Sequence, residues 1–235
     1  MNRLWHRWHP EVALRYLPAV ECIKKERVET ILEVGSGSLG IAPYINQSVT
    51  GLDIDFTGPS IENLTPVKGS IEKLPFKNNS FDAVLCIDVL EHIPATLRGI
   101  SIEECLRVTK KIFILGVPTK ETAQREDIFL MQLSQKRLGK IHPFFADHAR
   151  FGLPSISELR DWIERAVGKT GETGVVQEFS NENVWLHRWL MKGWLTDSFF
   201  TDLFFRKILL LFVPVLRLFN AEPAYRRFFV VTLEK

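Results

Sequence analysis

Short runs of apolar residues recur along the first half of this chain, and each run is followed by a turn or by a helical pattern. Such near-continuous runs are typical of parallel strands that are covered on both faces. Apolar residues at helical spacing predict helices at about 39–46 and 95–108. The chain therefore predicts an α/β fold, with its first five strands at 30–34, 48–53, 66–68, 81–87 and 111–117.

The flanking regions complete the prediction. Pro10 starts an amphipathic helix despite Pro18 in its middle, and Ser155 with Glu158 is typical of a capped helix running to Val167. Segments 175–179 and 228–233 predict two more strands. Residues 118–150 show no clear periodicity, so we expect a mobile, mixed segment there. With 235 residues, we expect the chain (1–235) to form a single domain.

An aromatic-rich segment, 181–224, separates the last two predicted strands. Its apolar run 208–216 is nine residues long, about half a membrane span. On a helical wheel the basic residues Arg206, Lys207 and Arg217 fall in one stripe beside a broad apolar face. This pattern fits an interfacial helix on an anionic membrane. The favoured interpretation is a helical insertion that packs on the domain or against a second copy in a homodimer.

Composition excludes some classes of function. The net charge of +2 gives no sign of nucleic-acid binding, and hydrophobic residues make up 46%, enough for a sizeable core.

Cys22, Cys86 and Cys105 are isolated and lack metal-site spacing, as expected in a reducing compartment. Residues 1–8 lack the apolar stretch of a signal peptide. We expect a cytoplasmic protein, placed at the inner face of the membrane if 181–224 binds lipid.

A glycine-rich loop follows the first predicted strand. Gly35, Gly37 and Gly40 come after Glu33, and the next strand ends at Asp53. This is the layout of a βαβ nucleotide site, where glycines let the backbone approach the ligand and the second acid accepts ribose hydroxyls. A dinucleotide oxidoreductase is one interpretation. Glu33 argues against it, because a pyrophosphate would meet a negative charge there.

The next motifs are more specific. Leu74-Pro75-Phe76, Phe81-Asp82-Ala83-Val84 and Glu91-His92 follow in order, and Glu104 to Val108 precede a strand closed by Pro118. Over residues 28–120, and loosely over 150–180, the chain resembles the class I S-adenosylmethionine-dependent methyltransferases. Two positions depart from that pattern. Leu39 stands where the third glycine is usual, and Ser70 stands where an acid usually contacts the adenine amino group.

The resemblance implies a Rossmann-like, mostly parallel seven-stranded sheet of order 3-2-1-4-5-7-6, with strand 7 antiparallel and helices on both faces. It implies S-adenosylmethionine as cofactor, with Glu33 near the methionine amino end and Asp53 on the ribose. Asp55 is the alternative ribose ligand. The expected cofactor-binding residues are Glu33, Gly35, Ser36, Gly37, Asp53, Ile54, Ser70, Ile71 and Asp88.

Asp88, Glu91 and His92 form an acid-x-x-Glu-His cluster. In some O-methyltransferases of this fold such a cluster holds a divalent metal, whereas in many relatives it braces the loop. Since the sequence shows no further ligand nearby, we expect no metal. The candidate catalytic residues are Asp88, His92 and His148.

The acceptor is expected to be a small molecule or a lipid- or glycan-linked intermediate, not nucleic acid. An oxygen acceptor is slightly favoured, because Asp88-Val89-Leu90-Glu91 replaces the Asn/Asp-Pro-Pro-Tyr signature of amino-group methylators. A non-catalytic, methyltransferase-like assembly module stays an alternative function.

Overall fold

Seven strands form one sheet in the computed structural model, which describes residues 10–196 and 198–234. The strand order is β3-β2-β1-β4-β5-β7-β6, and β7 pairs antiparallel with both β5 and β6. The remaining pairs are parallel. The fold class and strand order expected from the resemblance are therefore confirmed. Residues 1–8, expected to lack a signal peptide, lie outside the described residues.

No α-helix separates the first four strands from one another among the described residues, and most of the helices cluster before the last two strands. The strands are β1 Ile31–Val34, β2 Val49–Asp53, β3 Leu64–Lys68, β4 Phe81–Ile87, β5 Thr109–Pro118, β6 Thr173–Asn183 and β7 Ala224–Glu234. The helices are α1 Pro10–Lys25, α2 Ala95–Val108, α3 Ala123–Leu138, α4 Pro143–Phe151, α5 Ile156–Thr170, α6 Val184–Trp194, α7 Phe199–Arg206 and α8 Val213–Leu216.

Two hydrophobic layers cover the two faces of the sheet. On one face α1 and part of the 181–224 insertion pack on β1, β4 and β5 through residues such as Leu14, Ile114 and Leu209. On the other face α2 and α5 pack through residues such as Ile102 and Leu159. The register brings Val34 level with Leu52 and Cys86, so β1, β2 and β4 end together at one edge. Ligands of open α/β sheets bind at this carboxyl edge.

The helix predicted at 39–46 was wrong. After β1 the chain makes turns, followed by a single 3₁₀ turn at Ala42–Tyr44. Gly40 has φ +48°, outside the helical region, and Pro43 lacks the N–H group that a longer helix would need there. The loop after β1 is thus held by turns and not by a helix N-terminus.

The mixed segment expected at 118–150 is instead mostly helical. It contains α3 and α4, which pack through Leu130 and Phe145 against α6. The apolar period is hidden because the buried face also carries polar groups. Glu126 binds Arg188, and Asp127 binds His148 and Tyr225. These partners come from distant segments, so the sequence alone gave no helical pattern to detect.

The last elements are longer than predicted. The capped helix α5 begins as expected, with Ser155 and Glu158 in a reciprocal capping box, and continues to Thr170. Strands β6 and β7 extend beyond the predicted 175–179 and 228–233 and include both ends of the predicted 181–224 insertion, whose helices lie within 184–216. Within residues 10–196 and 198–234, every helix is too short or too polar to cross a membrane.

Candidate functional site

A cavity of about 330 Å³ opens at the shared carboxyl edge of β1, β2 and β4. It contains six of the nine residues expected to bind the cofactor, together with His92. The lining residues are Val34, Gly35, Leu52, Asp53, Ile54, Gly69, Ser70, Ile71, Asp88, Val89, His92 and Ile93. Residues from four separate stretches of sequence therefore meet around one space.

Gly35 approaches the β4 loop too closely for any side chain. Its φ is +76°, and a Cβ atom there would lie 2.2 Å from Cγ2 of Val89. Only glycine satisfies both the left-handed backbone and the contact. The loop continues through Ser36, which is buried and whose hydroxyl donates to the Gly37 carbonyl at 2.9 Å. The cavity wall at this point is bare backbone, as a closely approaching ligand requires.

Asp53 joins the glycine loop to the end of β2. Its Oδ2 accepts from the Gly37 N–H at 2.7 Å, and its Oδ1 accepts from the Asp55 N–H at 3.1 Å. The carboxylate also lines the cavity. Asp55, the alternative ribose ligand, instead accepts from the Thr57 N–H at 3.0 Å. Of the two acids, Asp53 is the one that faces the ligand space.

Glu33 lies behind the glycine loop. Its buried carboxylate accepts from the Ile41 N–H at 2.7 Å and also binds the Tyr16 hydroxyl. Burial raises the pKa of Glu33 to about 7, although both hydrogen bonds oppose this shift. A Cβ atom on Gly40 would lie 2.0 Å from Oε2 of Glu33. Glu33 thus fixes the turn that replaces the predicted helix.

The far end of the cavity is formed by Ser70, Ile71 and the exposed side chain of Ile54. Ser70 donates through its hydroxyl to the Glu72 carboxylate, while the Ile71 side chain is buried. The acid that the sequence lacks at position 70 is therefore present two residues later and in contact with it.

Asp88 sits at the floor between β4 and β7. Its backbone is left-handed, with φ +53°. Arg226 donates to both carboxylate oxygens, from Nε to Oδ1 at 2.6 Å and from Nη2 to Oδ2 at 2.7 Å. Arg15 adds an ion pair at 3.0 Å. Burial alone would raise the pKa of Asp88, but the two arginines outweigh it and lower the pKa to about 2. Asp88 is a permanently ionised anchor and a poor proton acceptor.

The two candidate histidines come together with Glu91. The rings of His92 and His148 lie 5.1 Å apart, and Phe144 packs against both. His148 is buried on α4, where the sequence suggested a loop, and its Nδ1 lies 2.7 Å from Asp127. Burial, followed by the neighbouring His148, lowers the pKa of His92. Burial raises the pKa of Glu91 well above its ordinary value.

A second cavity of about 300 Å³ adjoins the first. Arg15 and Arg226 line it and bind Asp88, which lines the first cavity. Its remaining walls come from α1, α4 and the insertion: Glu11, Val12, His142, Phe144, His187, Met191, Trp194 and Arg206. The two cavities therefore share a wall, and the insertion closes the second one.

Sequence reasoning missed Arg15, Arg226, Asp127 and Tyr225. Arg226 and Asp88 are 138 residues apart in the chain. An arginine near the start of a helix or inside a terminal strand is an ordinary surface residue in sequence. Only the antiparallel pairing of β7 with β5 brings Arg226 to the edge of the sheet.

Part of the chain matches proteins that are already known. Residues 32–114 match a family model described as a methyltransferase domain. A 60-residue stretch is 40% identical to an uncharacterized protein of Methanocaldococcus jannaschii, and covers 26% of this chain and 26% of that protein. The chain thus aligns with about a quarter of the length of this curated relative.

Solved structures share the fold at low sequence identity. The alignment with the methyltransferase domain of bacterial CtHen1 covers 94% of this chain and 98% of that domain, with a TM-score of 0.56 at 12% identity. A putative sarcosine dimethylglycine methyltransferase from Galdieria sulphuraria covers 91% and 83%, with a TM-score of 0.52 at 15% identity. Magnesium protoporphyrin IX methyltransferase from Synechocystis, with bound S-adenosylhomocysteine, covers 96% and 82%, with a TM-score of 0.50 at 14% identity.

Proposed function

We propose that this chain, which carries a class I S-adenosylmethionine-dependent methyltransferase domain, binds S-adenosylmethionine and transfers its methyl group. One observation carries the proposal: the glycine loop, Asp53, Ser70 and Ile71 line a single cavity at the carboxyl edge of the sheet. The methyltransferase domain match covers the strands that build this cavity.

Each part of the cofactor has a suitable group in the wall of this cavity or next to it. Asp53 takes the ribose hydroxyls, since each of its oxygens can accept a second hydrogen bond besides the backbone N–H that it already binds. Ile54 and Ile71 flank the adenine. Glu72, held by the Ser70 hydroxyl, supplies the acid for the adenine amino group. Glu33 fixes the turn around Gly40 behind the methionine end.

The reaction is an in-line displacement. A lone pair on the acceptor attacks the methyl carbon, the bond from that carbon to sulfur breaks, and S-adenosylhomocysteine leaves as a neutral thioether. Because the sulfonium already activates the carbon, alignment and desolvation supply much of the acceleration. His92 lines the cavity and orients a hydroxyl acceptor. Asp88 positions Arg15 and Arg226 and takes no proton.

The second cavity suits the acceptor. It adjoins the cofactor cavity through Asp88, and Phe144, Met191 and Trp194 give it an apolar wall. Its arginines are already paired with acids, so it offers polar groups without a strong net charge. A small molecule or a lipid- or glycan-linked intermediate fits these walls. An oxygen acceptor is preferred, and nucleic acid is disfavoured by the low charge of the chain.

The insertion supports a membrane-borne acceptor. Trp194 and Arg206 line the second cavity, while Phe199, Phe200, Leu211 and Leu218 expose 72%, 80%, 76% and 79% of their surface. We call these four side chains the exposed apolar surface. Leu190, Leu209 and Val213 pack on the domain, so the insertion is anchored on one side only. The exposed apolar surface enters the membrane interface beside the acceptor cavity.

The charges of the insertion contribute less than the sequence suggested. Arg206 is paired with Asp202 and Arg217 with Glu21. These pairs reduce the attraction to anionic lipid, so apolar contact provides most of the affinity. A homodimer that buries the same surface is the competing outcome.

Labelling tests the proposed reaction. Cell extract is incubated with the protein and methyl-labelled S-adenosylmethionine, and the products are separated by organic extraction. We expect label in the organic phase, lost in Asp53→Asn and kept in the matched control Asp55→Asn. Label confined to nucleic acid contradicts the acceptor class. Cofactor binding without labelling of any fraction supports an assembly module instead.

A further inference from the structure

Three side chains with metal-ligating atoms meet beside the cofactor cavity. Glu91 and His92 come from the loop after β4, and His148 comes from α4. One ligand atom from each lies within 4.8 Å of the others. The motif around Glu91 and His92 contains no third ligand, because His148 is 56 positions after His92 in the chain.

The Glu91 carboxylate is fully buried. Among the described residues, neither of its oxygens has a hydrogen-bond partner. Buried polar atoms are nearly always paired, and a buried carboxylate is usually paired with a cation or a metal. The charges of Arg226 and Arg98 act on Glu91, but Arg226 binds Asp88 and Arg98 donates to backbone carbonyls. Glu91 is therefore an unsatisfied acceptor in an enclosed space.

Each histidine is held from behind by a carboxylate. Nδ1 of His148 lies 2.7 Å from Asp127, which the Tyr225 hydroxyl also binds at 2.7 Å. Nδ1 of His92 lies 3.2 Å from Asp147. The Nε2 atom of His148 is buried and unpartnered within the described residues. Metal-bound histidines have this arrangement, with one ring nitrogen on a carboxylate and the other on the ion.

We propose that Glu91, His92 and His148 bind one divalent transition-metal ion at the edge of the cofactor cavity. Two imidazoles and one carboxylate suit zinc, manganese, cobalt or iron(II), whereas magnesium prefers a shell of oxygens. Asp88 is not a ligand, because Arg226 occupies both its oxygens. Ligand atoms lie about 2.0–2.2 Å from such an ion. His92, the most exposed of the three, closes the site by a small ring movement.

Three protein ligands leave a coordination position open. His92 lines the cofactor cavity, and Phe144, which packs on His92 and His148, lines the second cavity, so we place the open position between cofactor and acceptor. This role rests on the proposed function. An acceptor hydroxyl bound there becomes more acidic and loses its proton to water. Its oxygen then forms the bond to the methyl carbon as the bond to sulfur breaks.

Metal titration tests the site directly. Untagged protein is freed of metal by dialysis against a chelator and titrated with Zn²⁺ by calorimetry and with Co²⁺ by visible absorption. We expect one equivalent of each to bind, and Mg²⁺ to bind far more weakly. Glu91→Gln, His92→Gln and His148→Gln should weaken Zn²⁺ binding by more than about 100-fold. Asp127→Asn, which removes the carboxylate behind His148, should cost about 10- to 100-fold.

His142→Gln is the matched control, because His142 lies against Trp194 and outside the cluster. It should keep the wild-type affinity for Zn²⁺. Since His92 is half-exposed, His92→Gln tests the site even if the buried variants fail to fold. Wild-type protein that binds no Zn²⁺, or His92→Gln with unchanged affinity, overturns the proposal. S-adenosylhomocysteine is titrated into the same samples. If the protein binds S-adenosylhomocysteine but no metal ion, only the metal site is refuted. If it binds a metal ion but no S-adenosylhomocysteine, only the proposed function is refuted.

Discussion

Arg226 on the last strand grips Asp88 at the end of β4 through two charge-assisted hydrogen bonds of 2.6 Å and 2.7 Å. Both side chains are almost completely buried. Arg226 also binds Glu182, and Arg15 of α1 binds Asp88. This ion-pair cluster ties four elements together between the two cavities. It fixes the left-handed Asp88 backbone that begins the loop carrying Glu91 and His92.

Asp88→Asn should strongly destabilise the protein. It leaves Arg226 and Arg15 without their shared carboxylate, and breaking a buried ion pair costs about 3–5 kcal/mol. Urea unfolding of the two proteins measures the difference in free energy of unfolding. Asp55→Asn, which alters an exposed acid, is the control and should change that free energy by less than about 0.5 kcal/mol. Equal stability of Asp88→Asn and wild type would show that the cluster is not structural.

Gly35→Ala should abolish binding of S-adenosylhomocysteine. The new methyl group meets Val89 at 2.2 Å, so the loop or the Val89 side chain must move into the cofactor cavity. Gly139→Ala is the matched control, since Gly139 has φ +68° but no atom within 4 Å of the added carbon. It carries the same backbone strain without the clash. Calorimetry should find unchanged affinity for Gly139→Ala, and similar losses in both variants would contradict a steric cause.

Glu33 should make stability depend on pH. The pKa of Glu33 is about 7 in the folded protein, whereas its ordinary value, which applies to the unfolded chain, is 4.5. Between pH 4.5 and 7 the folded state therefore keeps a proton that the unfolded state has released. The resulting stability is fully present below about pH 4.5, falls as pH rises, and is lost above about pH 7. The loss is at most about 3 kcal/mol.

Glu33→Gln keeps a neutral side chain of the same shape and lacks this titration. Urea unfolding at pH 5, 6, 7 and 8 should therefore show the stability of wild type relative to Glu33→Gln falling with pH. Taking the difference cancels the other titrating groups, including Glu91. A constant difference across this range would mean that Glu33 is ionised in the folded protein throughout.

The exposed apolar surface should bind membranes. Phe200→Ser with Leu211→Ser removes two of its most exposed side chains, and sedimentation with anionic vesicles measures the bound fraction. We expect wild type to sediment with only modest salt dependence, because Arg206 and Arg217 are paired. The double variant should stay in the supernatant. Ile128→Ser is the control, since Ile128 is exposed on α3, away from the insertion.

Two results would contradict this membrane role. In the first, wild-type protein does not bind vesicles and is a dimer by sedimentation equilibrium, and the Phe200→Ser, Leu211→Ser double variant is a monomer. The exposed apolar surface would then be a contact between two copies of the chain. Vesicle binding that is equal in all variants would place the contact elsewhere.

The sequence predicted the strands well because apolar runs and motif order are local signals. Strands β1, β2 and β4 lie within two residues of their predicted bounds, and the glycine loop and Asp53 meet as expected. The helix predicted at 39–46 was wrong because the prediction followed the apolar spacing, whereas Gly40 and Pro43 favour turns there. Helices α3 and α4 were not predicted because their buried faces carry polar side chains. The residues that pair with these side chains lie far away in the sequence.

The candidate site was predictable only where one stretch of chain builds it. Gly35, Ile54 and Ile71 follow from motifs, whereas the partners of Asp88 depend on the pairing of β5 with β7. The place of His148 beside His92 depends on how α4 packs on the loop after β4. A sequence shows which groups are available, and the tertiary packing decides which of them are paired.

Cofactor binding tests the central claim most directly. S-adenosylhomocysteine, NAD and NADP are each titrated into wild-type protein, Asp53→Asn and the control Asp55→Asn by calorimetry. We expect S-adenosylhomocysteine to bind wild type and Asp55→Asn with micromolar or tighter affinity, and Asp53→Asn to lose at least about 1–3 kcal/mol of binding free energy. Binding of only a dinucleotide, or equal affinity of S-adenosylhomocysteine for all three proteins, would contradict the account.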